Sequence, residues 1–405
     1  MNACSVKDVQ NYAPLQDLTD RSSAGLCRNE VVLHGDVFAM QIAHATIADL
    51  ANAVTRVLPA VPTKSTLPVL EHISLRAERD RLELAATDME LAITASIPAH
   101  ISEPGALLVP ARKVSDILRA LPEDLSCSID GRDARFVLST SIGRYELPKL
   151  DPDEFPELPR AEHATTITLT EADAKALAAA TVYAASVEQY RPAMTGVKVE
   201  LGSDLIAVAT DGYRLSTITI PLGSSSNTIA EAVVPARVIE LLSKAHGDVI
   251  LGLSKTHAMI TTDSITIAAR LIDEAYPQWR NVIPTEASRI ALVEREQLIK
   301  AVRRMALFAG TTVGLVRFQW SAGTLKLSAT DPDTGACAEE SLPCEYTSDP
   351  FEIGFNHKYI IEALQHIPTD RVRLAFSQPS RAALITPPDE TTHRIIALVM
   401  PMRLS

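Results

Sequence analysis

The chain has 405 residues, a formal net charge of −12 and 46% hydrophobic residues. That length allows two to four domains with ordinary cores, and no apolar run approaches the ~18 residues that a membrane span needs. The acidic balance, taken alone, argues against nucleic-acid binding. The five cysteines (Cys4, Cys27, Cys127, Cys337, Cys344) include no Cys-x-x-Cys pair, which sets aside zinc and redox roles and suits a reducing cytosol.

Residues 1–38 are polar and aperiodic. They lack the basic start and apolar core of a signal peptide, and are expected to form a disordered extension. From residue 39 the chain repeats itself. Leu82-Glu83-Leu84-Ala85-Ala86-Thr87-Asp88 is echoed by Leu205-Ile206-Ala207-Val208-Ala209-Thr210-Asp211 and by Leu325-Lys326-Leu327-Ser328-Ala329-Thr330-Asp331. The interval of about 120 residues is too long for a solenoid unit and fits a small domain.

The elements follow in the same order in each copy. A helix comes first, expected over 47–58, 171–185 and 294–308, with Thr170-Glu171-Ala172-Asp173 forming an N-terminal capping pattern. Two strands end in the Ala-Thr-Asp motif, and another strand follows. A second helix then starts near Val109-Pro110-Ala111-Arg112, Val234-Pro235-Ala236-Arg237 and Ile353-Gly354-Phe355-Asn356, and stops at Pro122, Gly247 or Pro368. Hairpins are expected over 135–147, 258–270 and 382–399. Acidic, proline-rich linkers at Asp151-Pro152-Asp153-Glu154 and Asp273-Glu274-Ala275-Tyr276-Pro277 mark the edges. The expected domains are 39–159, 160–284 and 285–405. The class is α+β, with antiparallel sheets and helices on one face.

The charges are unevenly placed. Acids gather in turns and linkers, such as 151–157 and 331–340. Bases gather on helices: Arg112, Lys113 and Arg119; Arg237, Lys244 and His246; Lys300, Arg303 and Arg304. Each group alone reads as a solvated helix face. Repeated at equivalent places, such groups would line the concave side of an arc and hold phosphates without reading sequence.

No catalytic constellation emerges. Asp333-Thr334-Gly335 matches the aspartic-protease triplet, but those enzymes need two carboxylates brought together, and a turn is the better reading. Each Thr-Asp pair is expected to hydrogen-bond a turn at a strand end. No phosphate loop, dinucleotide fingerprint or His-x-x-x-His is present. The chain reads as a binding or scaffold protein without metal or cofactor.

At several motifs the chain resembles the bacterial DNA polymerase III beta subunit, the beta sliding clamp family. They are Leu67-Pro68-Val69-Leu70, Ala86-Thr87-Asp88-Met89-Glu90-Leu91, Arg191-Pro192 with Thr195-Gly196-Val197, Ala209-Thr210-Asp211-Gly212-Tyr213-Arg214-Leu215, Tyr276-Pro277 with Arg280, and Val399-Met400-Pro401-Met402-Arg403-Leu404. The resemblance spans residue 39 to the C-terminus. It implies three clamp domains per chain and a cytoplasmic head-to-tail homodimer closing a ring around duplex DNA. The ring would tether the polymerase III alpha subunit, be loaded by a clamp loader and serve other clamp-binding-motif proteins, with no chemistry of its own. The alternatives are a duplicate clamp for repair or drug resistance, and a hydrolase on the same scaffold.

Carried over by motif, the implied partner-peptide pocket comprises Met194, Thr210, Gly212, Tyr213, Arg214, Leu215, Pro277, Asn281, Val282, Leu398, Met400, Pro401 and Met402. Asn281 stands where some relatives have arginine. The residue reading also leaves Leu215 and Leu398 open as core, and Arg214 as a surface ion pair. Implied DNA contacts are Lys64, Arg112, Lys113, Tyr190 and Arg191. The implied dimer seam sets Arg135, Arg144 and Tyr145 against Leu307, Phe308, Glu339 and Glu340.

Overall fold

The computed structural model describes residues 40–159, 164–223, 230–310 and 314–404; the extension at 1–38 lies outside them. The described residues hold six α-helices, two per copy: α1 (Ile47–Val57), α2 (Ala111–Ala120), α3 (Glu171–Thr181), α4 (Ala236–Leu241), α5 (Arg295–Ala306) and α6 (His357–Gln365). Thr46 and Thr170 cap α1 and α3 by accepting the N–H of Asp49 and Asp173, contacts worth about 1 kcal/mol each. α1 buries Ile47, Leu50, Val54 and Val57 along one stripe. It packs on α2, as α3 packs on α4 and α5 on α6. Each fully buried aliphatic side chain contributes roughly 1.5–3 kcal/mol.

The helix expected over 171–185 ends at Thr181 and tightens into the 3-10 turn Val182–Ala184. Two β-branched residues meet there, and Thr181 Oγ1 donates to the Leu177 carbonyl at 2.7 Å, which favours ending the helix. At least three strands per copy escaped the sequence reading. One precedes the first helix (Gln41–Thr46, Thr165–Leu169, Arg289–Glu294), one runs into the second helix (Gly105–Pro110, Ala230–Pro235, Phe351–Asn356), and one lies between the second helix and the hairpin (Ser126–Asp130, Val249–Leu253, Arg371–Phe376). The region 331–340 is also not all turn, because Glu339 and Glu340 lie in the strand Cys337–Pro343.

The sheets run across the copies. An eight-stranded sheet joins the first to the second where Leu91–Pro98 pairs antiparallel with Ile265–Arg270. A nine-stranded sheet joins the second to the third where Arg214–Pro221 pairs with Arg394–Val399. A five-stranded sheet ends on Arg144–Pro148, and a four-stranded sheet ends on Cys337–Pro343. One continuous apolar core runs through the described residues. No helix among them is long and apolar enough to cross a membrane.

Candidate functional site

The Thr-Asp pairs build turns, as their repetition implied. Thr210 Oγ1 donates to the Arg214 carbonyl at 2.6 Å and accepts the Gly212 N–H at 3.1 Å. Asp211 Oδ1 accepts the N–H groups of Tyr213 and Arg214 at 2.9 Å each. Thr87 and Asp88 repeat the pattern around Leu91. In the third copy Asp331 accepts from Asp333 N–H and Thr334 Oγ1, so Asp333-Thr334-Gly335 is turn backbone.

The Thr210 turn sits on the junction between the second and third copies. Arg214 is opposite Val399 and Leu215 opposite Leu398 in the shared sheet. The Arg214 guanidinium pairs with Asp211 at 3.1 Å and with Glu362 of α6, and lies over the rings of Tyr183 and Tyr359. Its side chain is only 12% exposed, so it locks two copies together instead of forming a loose surface pair. Tyr213 stacks on Tyr359 at 6.0 Å, and Met400 N–H donates to the Tyr213 carbonyl at 2.8 Å. The C-terminal tail continues along the strand Phe351–Asn356, where Met402 N–H donates to the Gly354 carbonyl at 2.8 Å. A Cβ at Gly354 would stand 2.6 Å from Leu404 Cδ2 and 3.2 Å from the Met402 carbonyl oxygen, so a side chain there would have to push the Leu404 end aside.

The expected apolar wall is divided in the structure. Leu215 and Leu398 are 2% exposed and belong to a buried cluster with Val208, Tyr276 and Trp279. They are buried, as the core reading allowed, and are not open to a ligand in this conformation. Val282 and Met400, at 53% and 39% exposure, are the accessible apolar members of the set. Pro277, Asn281 and Val282 stand beside the cluster on the loop and 3-10 turn that carry Trp279. Met194 lies at the turn Pro192–Thr195, where its carbonyl accepts Ser186 N–H.

Sequence reasoning missed Trp279, Glu200, Tyr183, Tyr359 and Glu362. Trp279 Nε1 donates to Glu200 Oε1 at 3.2 Å, and Arg280 lies 4.1 Å over the indole while pairing with the same carboxylate. Burial works against the Glu200 charge, but the bonds from Arg280 and Trp279 outweigh it and hold the carboxyl below its usual range. Burial pushes the Tyr183 hydroxyl up to about 12. A signal existed for Trp279, one of only two tryptophans in the chain, two residues beyond Pro277.

Of the implied DNA contacts, Lys64, Arg112 and Lys113 are exposed. Arg112 donates to Thr63 Oγ1 at 3.3 Å, next to Lys64. Tyr190 is 71% exposed, and Arg191 lies over its ring and against Gly212. Two of the helix bases are not free. Arg237 pairs with Asp88 and Glu90 across the first junction, and Arg304 pairs with Glu340.

The expected seam charges likewise have partners within the chain. Arg135 and Arg144 pair with Glu146 at 3.4 and 3.0 Å, and Lys326 pairs with Glu339 at 2.8 Å. These exposed pairs are worth at most about 1 kcal/mol each and exchange partners readily. Leu307 is 81% exposed, while Tyr145 and Phe308 pack partly against the core.

Fold and site together define a tandem clamp-domain protein, three copies joined through continuous sheets. Models of the DNA polymerase III beta subunit match the chain three times: the N-terminal domain at residues 40–159, the central domain at 168–278 and the C-terminal domain at 280–403. The beta sliding clamp of Pseudomonas aeruginosa is 30% identical over 361 residues, covering 88% of this chain and 98% of that protein. The Caulobacter vibrioides beta sliding clamp is 29% identical over 368 residues, with the same coverage. Among solved structures, a P. aeruginosa sliding clamp bound to griselimycin has a TM-score of 0.86 at 29% identity, covering 90% of this chain and 100% of that one. A Bacillus subtilis sliding clamp has a TM-score of 0.85 at 25% identity, covering 91% and 100%. The chain belongs to the beta sliding clamp family, the beta subunit of bacterial DNA polymerase III. It is a non-catalytic processivity factor of DNA replication, and neither the duplicate-clamp nor the hydrolase alternative is favoured.

Proposed function

We propose that two chains close head to tail into a cytoplasmic ring around duplex DNA, and that the junction of the second and third copies holds peptides of the polymerase alpha subunit, the clamp loader and other clamp-binding-motif proteins. The observation that carries the ring is the pair of unmatched sheet edges. Within the chain, the strand after each Thr-Asp turn pairs with the last strand of the next copy. The third copy's equivalent, Cys337–Pro343, and the first copy's last strand, Arg144–Pro148, both end their sheets. Such edges tend to be paired or protected.

The internal register carries over to the seam. Ala92, Leu215 and Cys337 lie opposite Thr87, Thr210 and Thr330, and Ala92 pairs with Ala268 across the first junction. The hairpin turns Thr262 to Ile265 and Thr140 to Gly143 are closed by the same bond, at 2.9 Å in each. Glu146 therefore takes the place of Ala268. The seam sets Cys337 opposite Glu146 of the partner subunit, Ala338 opposite the partner's Tyr145 and Glu339 opposite the partner's Arg144. Opposite charges facing across a ladder contribute roughly 0.2–1 kcal/mol, and a head-to-tail contact that closes gives a ring.

Lys64, Arg112, Lys113, Tyr190 and Arg191 are the residues we assign to DNA, through phosphate contacts indifferent to sequence. The test is sedimentation of charge-reversal variants. The wild type should run at twice the monomer mass. Arg144→Glu and Glu339→Arg should each shift it toward monomer, and the two together should restore the dimer. A wild-type monomer, or a double variant no better than the singles, would overturn this seam.

A further inference from the structure

The two junctions inside the chain are built alike but filled differently. α1 and α3 each have eleven residues and run into a three-residue 3-10 turn. The middle residue of that turn is Pro59 in the first copy and Tyr183 in the second. At the second junction the Tyr183 ring stacks on His366, just past α6, with centroids 4.1 Å apart and planes 6° from parallel. At the first junction Pro59, Lys244 and Ala245 line the equivalent space, just past α4, and its only aromatic ring is the His246 imidazole on the rim, with no stacked pair. A cavity of about 320 Å³ remains, within the size range of small-ligand sites.

The chemistry of its lining is specific. The floor is aliphatic, with Ile93, Leu242, Ile260 and Ile267 all buried. Arg56, Lys244 and His246 stand on the rim, and no carboxylate lines the cavity. Arg56 donates to Ser264 Oγ at 3.0 Å; neither Arg56 nor Lys244 is in an ion pair among the described residues. Glu171, whose carboxylate accepts the Gly247 N–H, is the acid near His246. An apolar slot under a cationic rim matches a flat apolar body bearing one anion.

We propose that this cavity is a binding site for a small aromatic carboxylate, whose ring takes the place that Tyr183 and His366 fill at the other junction. Arg56 and Lys244 hold the carboxylate. The ligand bridges α1 of one copy and the end of α4 of the next, so occupancy stiffens the joint between them.

The probe is 2-naphthoate, titrated against the full chain by calorimetry and ligand-observed NMR. Binding should saturate at one site per chain with a Kd of about 0.1–1 mM, as expected for a ligand of this size. The neutral analogue 2-acetylnaphthalene should bind the wild type at least about tenfold more weakly, as should 2-naphthoate the Arg56→Gln, Lys244→Gln double variant, because the charge-assisted bonds are lost. Pro59→Tyr should fill the slot and abolish binding. If it folds poorly, Ala245→Phe replaces it. A chain truncated before Met400 should bind the probe unchanged, which separates this cavity from the partner-peptide junction. No saturation, equal affinity for the neutral analogue, affinity unaffected by the cation and filling variants, or loss only on truncation would each overturn the proposal.

Discussion

Met89 and Gly212 occupy the same turn position in successive copies, at φ +78° and +90°. Glycine adopts that region freely, whereas a side chain there costs roughly 1–2 kcal/mol. A Cβ at Gly212 would meet only Arg191, at 3.6 Å, so Gly212→Ala should lower stability by about 1–2 kcal/mol through the backbone alone. Met89→Gly should raise it by roughly 0.5 kcal/mol, part of the relief being offset by glycine's freedom in the unfolded chain. Urea midpoints measured at unchanged slope check both signs. Glu200 gives a pH dependence. A carboxyl whose pKa is lower folded than unfolded adds stability above the unfolded value, near 4.5 for glutamate, and loses it as pH falls through the folded value. Wild type should therefore lose more stability than Glu200→Gln between about pH 5 and pH 3; parallel losses in an acid series of urea melts would remove Glu200 from the account. At this scale the sequence was only partly readable. The Thr-Asp turns declared themselves by recurring. Arg237, Arg304 and the seam charges did not show that they already had partners, because Arg237 meets Asp88 and Glu90 only when a distant strand is brought beside α4.

Helices and hairpins were legible because their apolar stripes are periodic and their ends carry proline or glycine. Two of the strands that escaped notice carry little apolar pattern. Ser126–Asp130 and Thr165–Leu169 read SCSID and TTITL, hydroxyl-rich and with only one or two buried positions each. Their place is fixed by neighbours in the sheet, which local propensity does not encode. The tail after Val399 was expected, by resemblance, to be a partner surface, and its bridge to another strand was not legible. Its bridge from Met402 to Gly354 pairs it with a strand nearly fifty residues away, close against a glycine. Removing the chain from Met400 onward should abolish binding of a polymerase-derived peptide while the dimer persists, since the seam uses other strands. Peptide binding of this kind rests on one or two apolar side chains worth roughly 1.5–3 kcal/mol each, which suits micromolar exchange. A fluorescent-peptide titration with unchanged affinity, the dimer intact, would place the site elsewhere.

At the scale of the whole molecule, the threefold repetition was the clearest message in the sequence, and the α+β clamp architecture follows from it. What the sequence withheld is how the copies join. Sheet continuity across copies pairs strands far apart in the chain, Leu91–Pro98 with Ile265–Arg270 and Arg214–Pro221 with Arg394–Val399. Arg144–Pro148 and Cys337–Pro343 lack the neighbour that their equivalents have at the internal junctions, and these are the edges on which we propose that a second copy pairs. Tethering then gains from topology, because an encircling protein keeps its partners at high effective concentration on DNA without tight contacts. The net charge of −12 fits this use, since the acids would repel DNA while the few exposed bases that we assign to it would touch phosphates loosely. The most direct measurement of the central claim is retention on DNA after loading, comparing a nicked circle with the same duplex cut once. The account predicts that the protein stays on the circle through a high-salt wash and is lost from the linear form by sliding off its ends. Equal loss from both, or equal retention on both, would contradict a ring around the duplex.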